Sequence, residues 1–370
     1  MKAITIGSAM VDIITIVEDA DIERMTMHNA TSSFLLLEQG RKIDAESITI
    51  HVGGGAINTA VCLSRLGHRV FSLVKLGEDV YGARIIECLE QENVSQKHIV
   101  RTKEDGTGVA IMISSHDRNA TIFTQRGVNR LLRKEDLNPA IFRDLDLVYI
   151  SSLSDGSSDC FPHIAELAHS AGAFVATNPG IRQLTSRLNP LYDSLEHVDL
   201  IALNRVEAAA LIPGIFARGL ETSNAQMAEL PEDCPELLRT GLTFGGFSVS
   251  LPVLFNAITS LGPKYFVLTD SRNGAYLSDG RTIFHSTTMD VKPQGTAGAG
   301  DAFISTLVSW IAESSPLEQC LKAAAINSAN VVKVIDTQSG LQDKNSLSQQ
   351  LQELDSEITV QKFNILNSDQ

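Results

Sequence analysis

The segment with the clearest chemical potential runs from Gln294 to Phe303 and reads QGTAGAGDAF. Small residues lead directly into an apolar helical pattern, so unobstructed backbone N–H groups lie at the positive end of a helix dipole. Such a helix start suits phosphate oxygens, and a carboxylate such as Asp301 beside a phosphate can accept a proton from an attacking hydroxyl. Taken alone, the same residues also fit a tight turn with a capping acid.

A second glycine-rich run, HVGGGAINTA from His51 to Ala60, also opens a predicted helix. Three consecutive glycines let a ligand approach the backbone closely, and Asn58 on the first turn offers donor and acceptor groups to a polyol. Neither run matches GxGxxG, and the chain contains no GxxxxGK[ST]. A dinucleotide-dependent dehydrogenase and a P-loop phosphotransferase are therefore disfavoured.

Short β-branched runs alternate with helical patterns, which is typical of a parallel sheet flanked by helices. The strands are predicted at Lys2–Gly7, Arg69–Leu76, Leu147–Ile150, Phe174–Thr177, Leu200–Leu203 and Tyr265–Thr269. The helices are predicted at Ala56–Leu66, Tyr81–Glu92, Cys160–Ser170, Val206–Leu211 and Asp301–Ser314. The glycine-rich runs thus lie where strands give way to helices.

Two regions break this alternation. Residues 11–52 hold strand-like runs without a strong helix, and residues 107–126 are predicted to form a hairpin around Ser115–Arg118. Antiparallel pieces in a parallel framework predict a small sheet that could close over a ligand. We assign residues 1–345 to one catalytic domain, with an insertion at about 212–260, and residues 346–370 to a partly ordered tail.

Composition limits the function classes. The 370 residues are 43% hydrophobic, and 30 Lys+Arg against 44 Asp+Glu give a net charge of −14, which argues against nucleic-acid or anionic-membrane partners. Five scattered cysteines without a CxxC pair predict reduced thiols in a cytoplasmic protein and no zinc site. No export signal is recognised, and the uncharged stretch Thr240–Pro263 is interpreted as a buried loop and helix.

In this order, the two runs resemble the two signatures of the ribokinase-like (PfkB) carbohydrate kinase family. The early one appears as Gly53-Gly54 through Asn58 to Leu66-Gly67, and the late TxGAGD one as Thr296–Asp301. Gly77–Gly82 is similar to the family's GxDxxG stretch and Asn204–Glu207 to its NxxE motif. The resemblance covers about residues 1–340.

The resemblance implies a three-layer α/β/α fold with a mostly parallel central sheet and a β-sheet lid from residues 11–52 and 107–126. It implies transfer of the γ-phosphoryl group of ATP to a sugar hydroxyl. Asp301 would be the general base, and the N–H groups of Gly298, Ala299 and Gly300 would form the anion hole. The residues expected to hold substrate hydroxyls are Asp12, Gly53, Gly54 and Asn58.

The resemblance also implies a site for ATP and Mg²⁺. Asn204 and Glu207 would organise Mg²⁺, with Glu207 acting through water, and Thr269 and Gly274 would lie on the ATP side. Gly295 stands where relatives have an Asp that helps bind a monovalent cation, so a potassium requirement stays open.

Other functions stay open at this stage. A nucleoside kinase would use the same fold and base, and a non-catalytic sugar- or nucleotide-binding regulator would use the same fold, although the presence of Asp301 counts against the regulator. Arg182 is the one residue kept from the DxNxR stretch of fructokinase-like and ketodeoxygluconate kinase-like relatives, which counts against those two substrates. Relatives often dimerise through the lid, so a homodimer is expected.

Overall fold

Strands and helices alternate along most of the chain, as the sequence predicts. The structure is a computed structural model that describes residues 1–17, 23–26, 33–36, 40, 42–114, 121–222, 226–227 and 230–366. The strands are β1 (Lys2–Ile6), β2 (Met10–Val17), β3 (Glu23–Thr26), β4 (Ser33–Leu36), β5 (Ala45–Gly53), β6 (Arg69–Leu73), β7 (Lys75–Gly77), β8 (Val100–Thr102), β9 (Gly108–Ser114), β10 (Thr121–Gln125), β11 (Leu147–Ile150), β12 (Phe174–Thr177), β13 (Leu200–Asn204), β14 (Gln226–Met227), β15 (Leu242–Phe244), β16 (Phe247–Val249), β17 (Tyr265–Thr269), β18 (Ala275–Ser278), β19 (Thr282–Ser286) and β20 (Val360–Leu366). The helices are α1 (Gly55–Arg65), α2 (Val80–Gln91), α3 (Phe161–Ser170), α4 (Ile181–Ser186), α5 (Leu188–Asp193), α6 (Arg205–Ala209), α7 (Ile212–Ala217), α8 (Glu236–Thr240), α9 (Leu251–Thr259), α10 (Ala299–Ala312), α11 (Leu317–Val332) and α12 (Lys344–Glu353).

One large sheet forms the centre of the molecule. Among the described residues it has ten strands in the order β14-β20-β19-β18-β17-β13-β12-β11-β1-β6, parallel from β6 to β17 and antiparallel beyond. Alternate strand residues enter two separate cores: Ala3 packs with residues of α1 and α10, whereas Ile4 packs with residues of α3. Helices therefore cover both faces, which confirms the predicted three-layer α/β/α fold.

The carboxyl ends of the parallel strands meet at one edge of this sheet. Ile6 lies opposite Ile150, and Asn204 lies opposite Thr269 in the register of β13 and β17. The loops that follow these strands are therefore neighbours, and this is the edge at which open α/β sheets bind ligands. The predicted strand Arg69–Leu76 is interrupted, since β6 ends at Leu73 and β7 pairs with β8 instead.

A separate small sheet has the order β10-β9-β2-β5. The predicted hairpin partners pair antiparallel as β9 and β10, while its expected turn, Ser115–Arg118, lies outside the described residues. Asp12 lies opposite His51 on β5 and Ala110 on β9. The next residue along β2, Ile13, belongs to the opposite face, so Asp12 and Ile13 mark the two faces of this sheet.

The C-terminal segment differs from the predicted partly ordered tail. Residues 344–353 form α12, and β20 joins the main sheet beside β19, with Phe363 and Ile365 buried. The polar residues between them mask the two-residue alternation of a strand with one buried face. Residues up to Leu366 are thus part of the main sheet domain.

The predicted insertion, residues 212–260, contains α7, α8, the β15–β16 hairpin and α9. The apolar side chains of α9 are buried in the main core, which confirms the interpretation of the uncharged stretch Thr240–Pro263 as including a buried helix. Among the helices that the structure describes, none is both long enough and apolar enough to cross a membrane.

Candidate active site

The two glycine-rich runs, far apart in sequence, meet at the carboxyl edge of the main sheet. Asn58 lies on the first turns of α1, and Asp301 lies on the first turn of α10. The Asn58 Nδ2 group donates a hydrogen bond of 2.8 Å to Asp301 Oδ2 across a sequence separation of 243 residues. The structure thus brings together the predicted substrate-binding amide and the predicted base.

Two carboxylates share this site. Asp12 on β2 is buried, and burial together with the nearby negative charge of Asp301 raises the pKa of Asp12 from 3.8 to about 6. Burial also raises the pKa of Asp301, and the hydrogen bond from Asn58 opposes that rise. A carboxylate with a raised pKa is a stronger proton acceptor, which suits a general base that works near neutral pH.

The early glycines have steric reasons to be glycine. A Cβ atom on Gly53 would overlap the carboxylate of Asp12, and one on Gly54 would lie 2.6 Å from the carbonyl oxygen of Ser8. Gly54 also has a φ of 95° at the start of α1. Gly53 therefore lets β5 approach Asp12 closely, and Gly54 lets the start of α1 approach the backbone before β2. Contact of either residue with substrate stays a prediction.

The late glycines differ from each other. Gly298 has a φ of 76°, and a Cβ atom there would lie 2.7 Å from the Cβ atom of Thr337. A Cβ atom on the exposed Gly300 would have no neighbour within 4 Å in the described structure. Packing therefore explains glycine at position 298 but not at 300, where free space before a helix N-terminus fits the approach of an anion.

The predicted anion hole consists of backbone groups at the start of α10. The first helical bond to the N-cap runs from the Ala302 N–H group to the Gly298 oxygen at 2.9 Å, and the Ala299 N–H group has only a long contact of 3.5 Å to Thr296. The earliest N–H groups of a helix have no acceptor within the helix. The geometry is compatible with an anion hole, and the role stays a prediction.

Asn204 and Glu207 form a reciprocal cap at the start of α6. Asn204 Oδ1 accepts from the Glu207 N–H group at 2.9 Å, and Glu207 Oε2 accepts from the Asn204 N–H group at 3.0 Å. Burial raises the pKa of Glu207, the hydrogen bonds with Asn204 oppose this, and the charge of Asp301 adds to the rise. Glu207 therefore lies within electrostatic reach of Asp301.

Metal binding at this edge can be tested against the side chains. Among the described residues, no three His, Cys, Asp or Glu side chains are grouped to hold a metal ion. One oxygen of Glu207 lies outside the reciprocal cap, and a single carboxylate fits Mg²⁺ that keeps most of its waters and binds phosphate oxygens. The residues therefore fit Mg²⁺ held indirectly, and this role stays a prediction.

The other predicted nucleotide-side residues lie nearby in the sheet. Thr269 ends β17 opposite Asn204. Gly274, with a φ of 95°, closes the turn into β18, where a Cβ atom would overlap the Ser286 carbonyl oxygen. Gly274 therefore has a backbone reason to be glycine, and its proximity to ATP stays a prediction.

Gly295 lacks the carboxylate that would help to bind a monovalent cation. A Cβ atom there would lie 2.9 Å from the Ile335 carbonyl oxygen and 3.1 Å from that of Val334. Position 295 therefore borders backbone oxygens but offers no side-chain ligand, and the potassium requirement stays open.

Sequence reasoning missed two residues of the site, Thr337 and Gln338, which follow α11. Thr337 Oγ1 donates to Asn58 Oδ1 at 2.9 Å, and Gln338 Nε2 donates to the same oxygen at 3.0 Å. The expectation that Asn58 offers both a donor and an acceptor to a polyol is therefore wrong for the acceptor, because neighbours already occupy it. No spacing or motif connects residues about 280 positions apart.

Comparisons with known proteins identify a family and a fold. A family model described as pfkB family carbohydrate kinase matches residues 2–216 and 250–344, leaving 217–249 unmatched within the predicted insertion. The deoxyribokinase of Salmonella typhi is 22% identical over 340 residues, 92% of this chain and 95% of that protein. The ribokinase of Mus musculus is 26% identical over 318 residues, 84% of this chain and 88% of that protein. The solved structure of Arabidopsis thaliana ribokinase complexed with ribose and ATP has a TM-score of 0.71 at 22% identity, covering 95% of this chain and 98% of that chain.

Proposed function

Because the chain belongs to the pfkB family of carbohydrate kinases, we propose that it transfers the γ-phosphoryl group of ATP to a hydroxyl of a free sugar, with Asp301 as the general base. Family membership makes the chain a phosphotransferase with an alcohol group as acceptor. The observation that carries the finer proposal is the 2.8 Å hydrogen bond between Asn58 and Asp301 beside the buried carboxylate of Asp12. This contact unites the early and late signatures in one site.

The chemical step follows from this arrangement. The substrate hydroxyl gives its proton to Asp301 while its oxygen attacks the γ-phosphorus, and the bond from that phosphorus to the bridging oxygen breaks to release ADP. The N–H groups of Gly298, Ala299 and Gly300 stabilise the negative charge that develops on the transferred group. Asn204 and Glu207 would organise Mg²⁺, with Glu207 acting through water, and the ion would supply positive charge to the phosphates.

Polar groups around Asp301 fit the hydroxyls of a sugar acceptor. The Asp12 carboxylate accepts hydrogen bonds from hydroxyls, and the Asn58 amide donates one, so the two recognise a polyol. The relatives named ribokinase and deoxyribokinase, and the ribokinase solved with ribose and ATP, support a sugar acceptor and ATP as the donor.

The small sheet supports a homodimer. Ile13, Ile50, Ile111 and Phe123 lie opposite one another across its four strands, on the face opposite to Asp12. Phe123 is 58% exposed, and Ile50 and Ile111 are also exposed. A continuous apolar row of this kind favours contact with a second copy through the lid. Light scattering measures the mass in solution, and a monomer at micromolar concentration would contradict the dimer.

The experiment that tests the function measures ADP formed from ATP and Mg²⁺ with pentoses, hexoses, sugar acids and nucleosides. We expect turnover with free sugars and a fall in kcat of about 10²- to 10⁴-fold in Asp301→Asn. Asp343→Asn is the matched control, because Asp343 caps α12 and Asn caps a helix equally well. Undiminished turnover in Asp301→Asn removes the base assignment, and turnover with nucleosides alone replaces the sugar.

A further inference from the structure

A series of hydrogen bonds fixes which end of the Asn58 amide faces Asp301. The backbone carbonyl of Val52 can only accept, so the Nε2 end of Gln338 must face it, at 3.0 Å. The same Nε2 group donates to Asn58 at 3.0 Å, so the Asn58 atom in that contact is the acceptor Oδ1. The Nδ2 group is then the only end of the Asn58 amide that can face Asp301.

Neighbouring contacts reinforce this orientation. Thr337 Oγ1 donates to Asn58 Oδ1 at 2.9 Å, which occupies the second lone pair of that oxygen. The Cys88 thiol donates to Gln338 Oε1 at 3.4 Å, so the other end of the glutamine amide is also bonded. Asn58, Thr337 and Gln338 are all at least nine-tenths buried, and water does not compete for these groups.

We infer that Thr337 and Gln338 are positioning residues for phosphoryl transfer, which hold Asn58 as an N–H donor so that Asp301 Oδ2 is engaged and Oδ1 stays open to the substrate hydroxyl. The inference rests on the proposed role of Asp301 as the base. It also limits Asn58 to donating toward the substrate, since one Nδ2 hydrogen binds Asp301 and Oδ1 already accepts two hydrogen bonds. An acceptor that requires Asn58 to accept a hydrogen bond is therefore a poor substrate.

The orientation of Asn58 also affects the ionisation of Asp301. The N–H donor lowers the pKa of Asp301 against the rise that burial causes. The other titratable groups that face this carboxyl are Asp12 on β2, Tyr149 on β11 and Glu207 on α6. None of these is a cation, so Asn58 is the group that most favours the ionised base among the described side chains.

Other contacts hold the Thr337–Gln338 segment itself. Arg65 Nη1 donates to the backbone oxygens of Gln338 and Leu341 at 2.8 and 2.9 Å, and the Arg65 side chain also pairs with Glu92. The backbone of the segment is therefore anchored independently of its side chains. Substitutions at Thr337 and Gln338 can separate the orientation of Asn58 from the folding of the loop.

The test measures the pH dependence of kcat/KM in Thr337→Val, Gln338→Met and the double variant. These changes remove the donors and approximately keep the side-chain volume. With Oδ1 left without its two donors, the Asn58 amide is held less firmly with its N–H group toward Asp301, so the base is protonated at higher pH. We expect the acidic limb of the double variant to move up by about one pH unit, with about a tenfold loss of kcat/KM below it. Thr337→Ser keeps the hydroxyl and keeps the wild-type profile.

Arg65→Lys is the control for a merely structural role, because it weakens the anchor of the loop and leaves the donors to Asn58 in place. The inference is overturned if the acidic limb of the kcat/KM profile moves as far in Arg65→Lys as in the double variant. It is also overturned if the limb moves in neither variant. If the double variant does not fold, the acidic limb of the kcat/KM profile is measured in the nearly isosteric Thr337→Val variant instead. Undiminished turnover in Asp301→Asn is a distinct failure, since it removes the proposed base itself.

Discussion

Two polar pairs lie at the carboxyl edge of the sheet, Asn58–Asp301 and Asn204–Glu207, and their hydrogen bonds connect different parts of the chain. Asn58 and Asp301 join helices from opposite ends of the chain, and Thr337 and Gln338 hold the amide from a third segment. Asn204 and Glu207 bond to each other's backbone within one turn of α6, and Asn204 is exposed. The first pair is held by tertiary structure and the second by local structure.

This difference shows how much each motif says about function. A residue that caps its own helix stabilises that helix in any protein, so the Asn204–Glu207 motif has a local explanation. Asn58 caps nothing, because the N-cap of α1 is Gly54 and the first N–H group of that helix, from Gly55, is bonded by the Ser8 hydroxyl. Its buried amide instead serves Asp301, and the early signature is therefore the stronger evidence for catalysis.

Substituting the two asparagines gives the largest contrast. Asn58→Ala removes the donor to Asp301 and a substrate contact, so we expect kcat/KM to fall by about 10²- to 10³-fold. Asn204→Ala removes an N-cap, so we expect the free energy of unfolding to fall by about 1 kcal/mol. Steady-state kinetics and denaturant unfolding of both variants measure these effects.

Asn204→Ser keeps a capping side chain and separates the two explanations for position 204. Recovery of both stability and activity in Asn204→Ser identifies capping as the role of Asn204. Recovery of stability with activity still depressed places Asn204 at the phosphates or Mg²⁺ instead. An Asn58→Ala variant with wild-type kcat/KM would contradict the contrast between the Asn58–Asp301 pair and the Asn204–Glu207 pair.

The sequence predicted the parts of this site that local patterns encode. Strand and helix periodicity located β1, β11, β12, β13 and β17, and the glycine runs located the starts of α1 and α10. Thr337 and Gln338 were not predictable, because their hydrogen bonds depend on how the segment after α11 packs against β5 and α1. Residues that act across the fold leave no spacing in the sequence.

The C-terminal strand illustrates the same limit. β20 buries only Phe363 and Ile365 between polar residues at the antiparallel side of the main sheet. Its composition resembles a solvated segment, and only the pairing with β19 makes it a strand. At such positions the neighbouring strand determines strand formation more than the strand propensity of the residues does.

The pH dependence of stability sharpens the contrast further. The pKa of Asp12 is raised from 3.8 to about 6, so the fold favours its protonated form. The contribution of protonated Asp12 to the free energy of unfolding is fully present below pH 4 and is lost as the pH rises through 6. The change is about 3 kcal/mol at most. Relative to wild type, Asp12→Asn should therefore gain about 2–3 kcal/mol in unfolding free energy between pH 4 and pH 7.5.

Denaturant titrations at pH 4 and pH 7.5 measure this gain. Glu207→Gln is the matched variant in the Asn204–Glu207 pair. The hydrogen bonds of the reciprocal cap oppose the rise in the pKa of Glu207, so its gain with pH should be smaller. Equal gains for the two variants would contradict the distinction between a buried, unopposed carboxyl and a capping one. If the difference in unfolding free energy between Asp12→Asn and wild type is the same at both pH values, the raised pKa of Asp12 is wrong.

Gly298 and Gly300, two residues apart, are expected to respond to alanine in different ways. Gly298→Ala forces an alanine to a φ of 76° against Thr337, so we expect a loss of about 2 kcal/mol in unfolding free energy. Gly300→Ala meets open space on the first turn of α10, where alanine is favoured over glycine by up to about 1 kcal/mol. Its stability should be unchanged or higher, while its methyl group weakens ATP binding by about tenfold, because an anion hole needs close approach to the backbone. Calorimetric titration with ATP and denaturant unfolding check the pair, and unchanged ATP affinity in Gly300→Ala would place the phosphates away from this helix start.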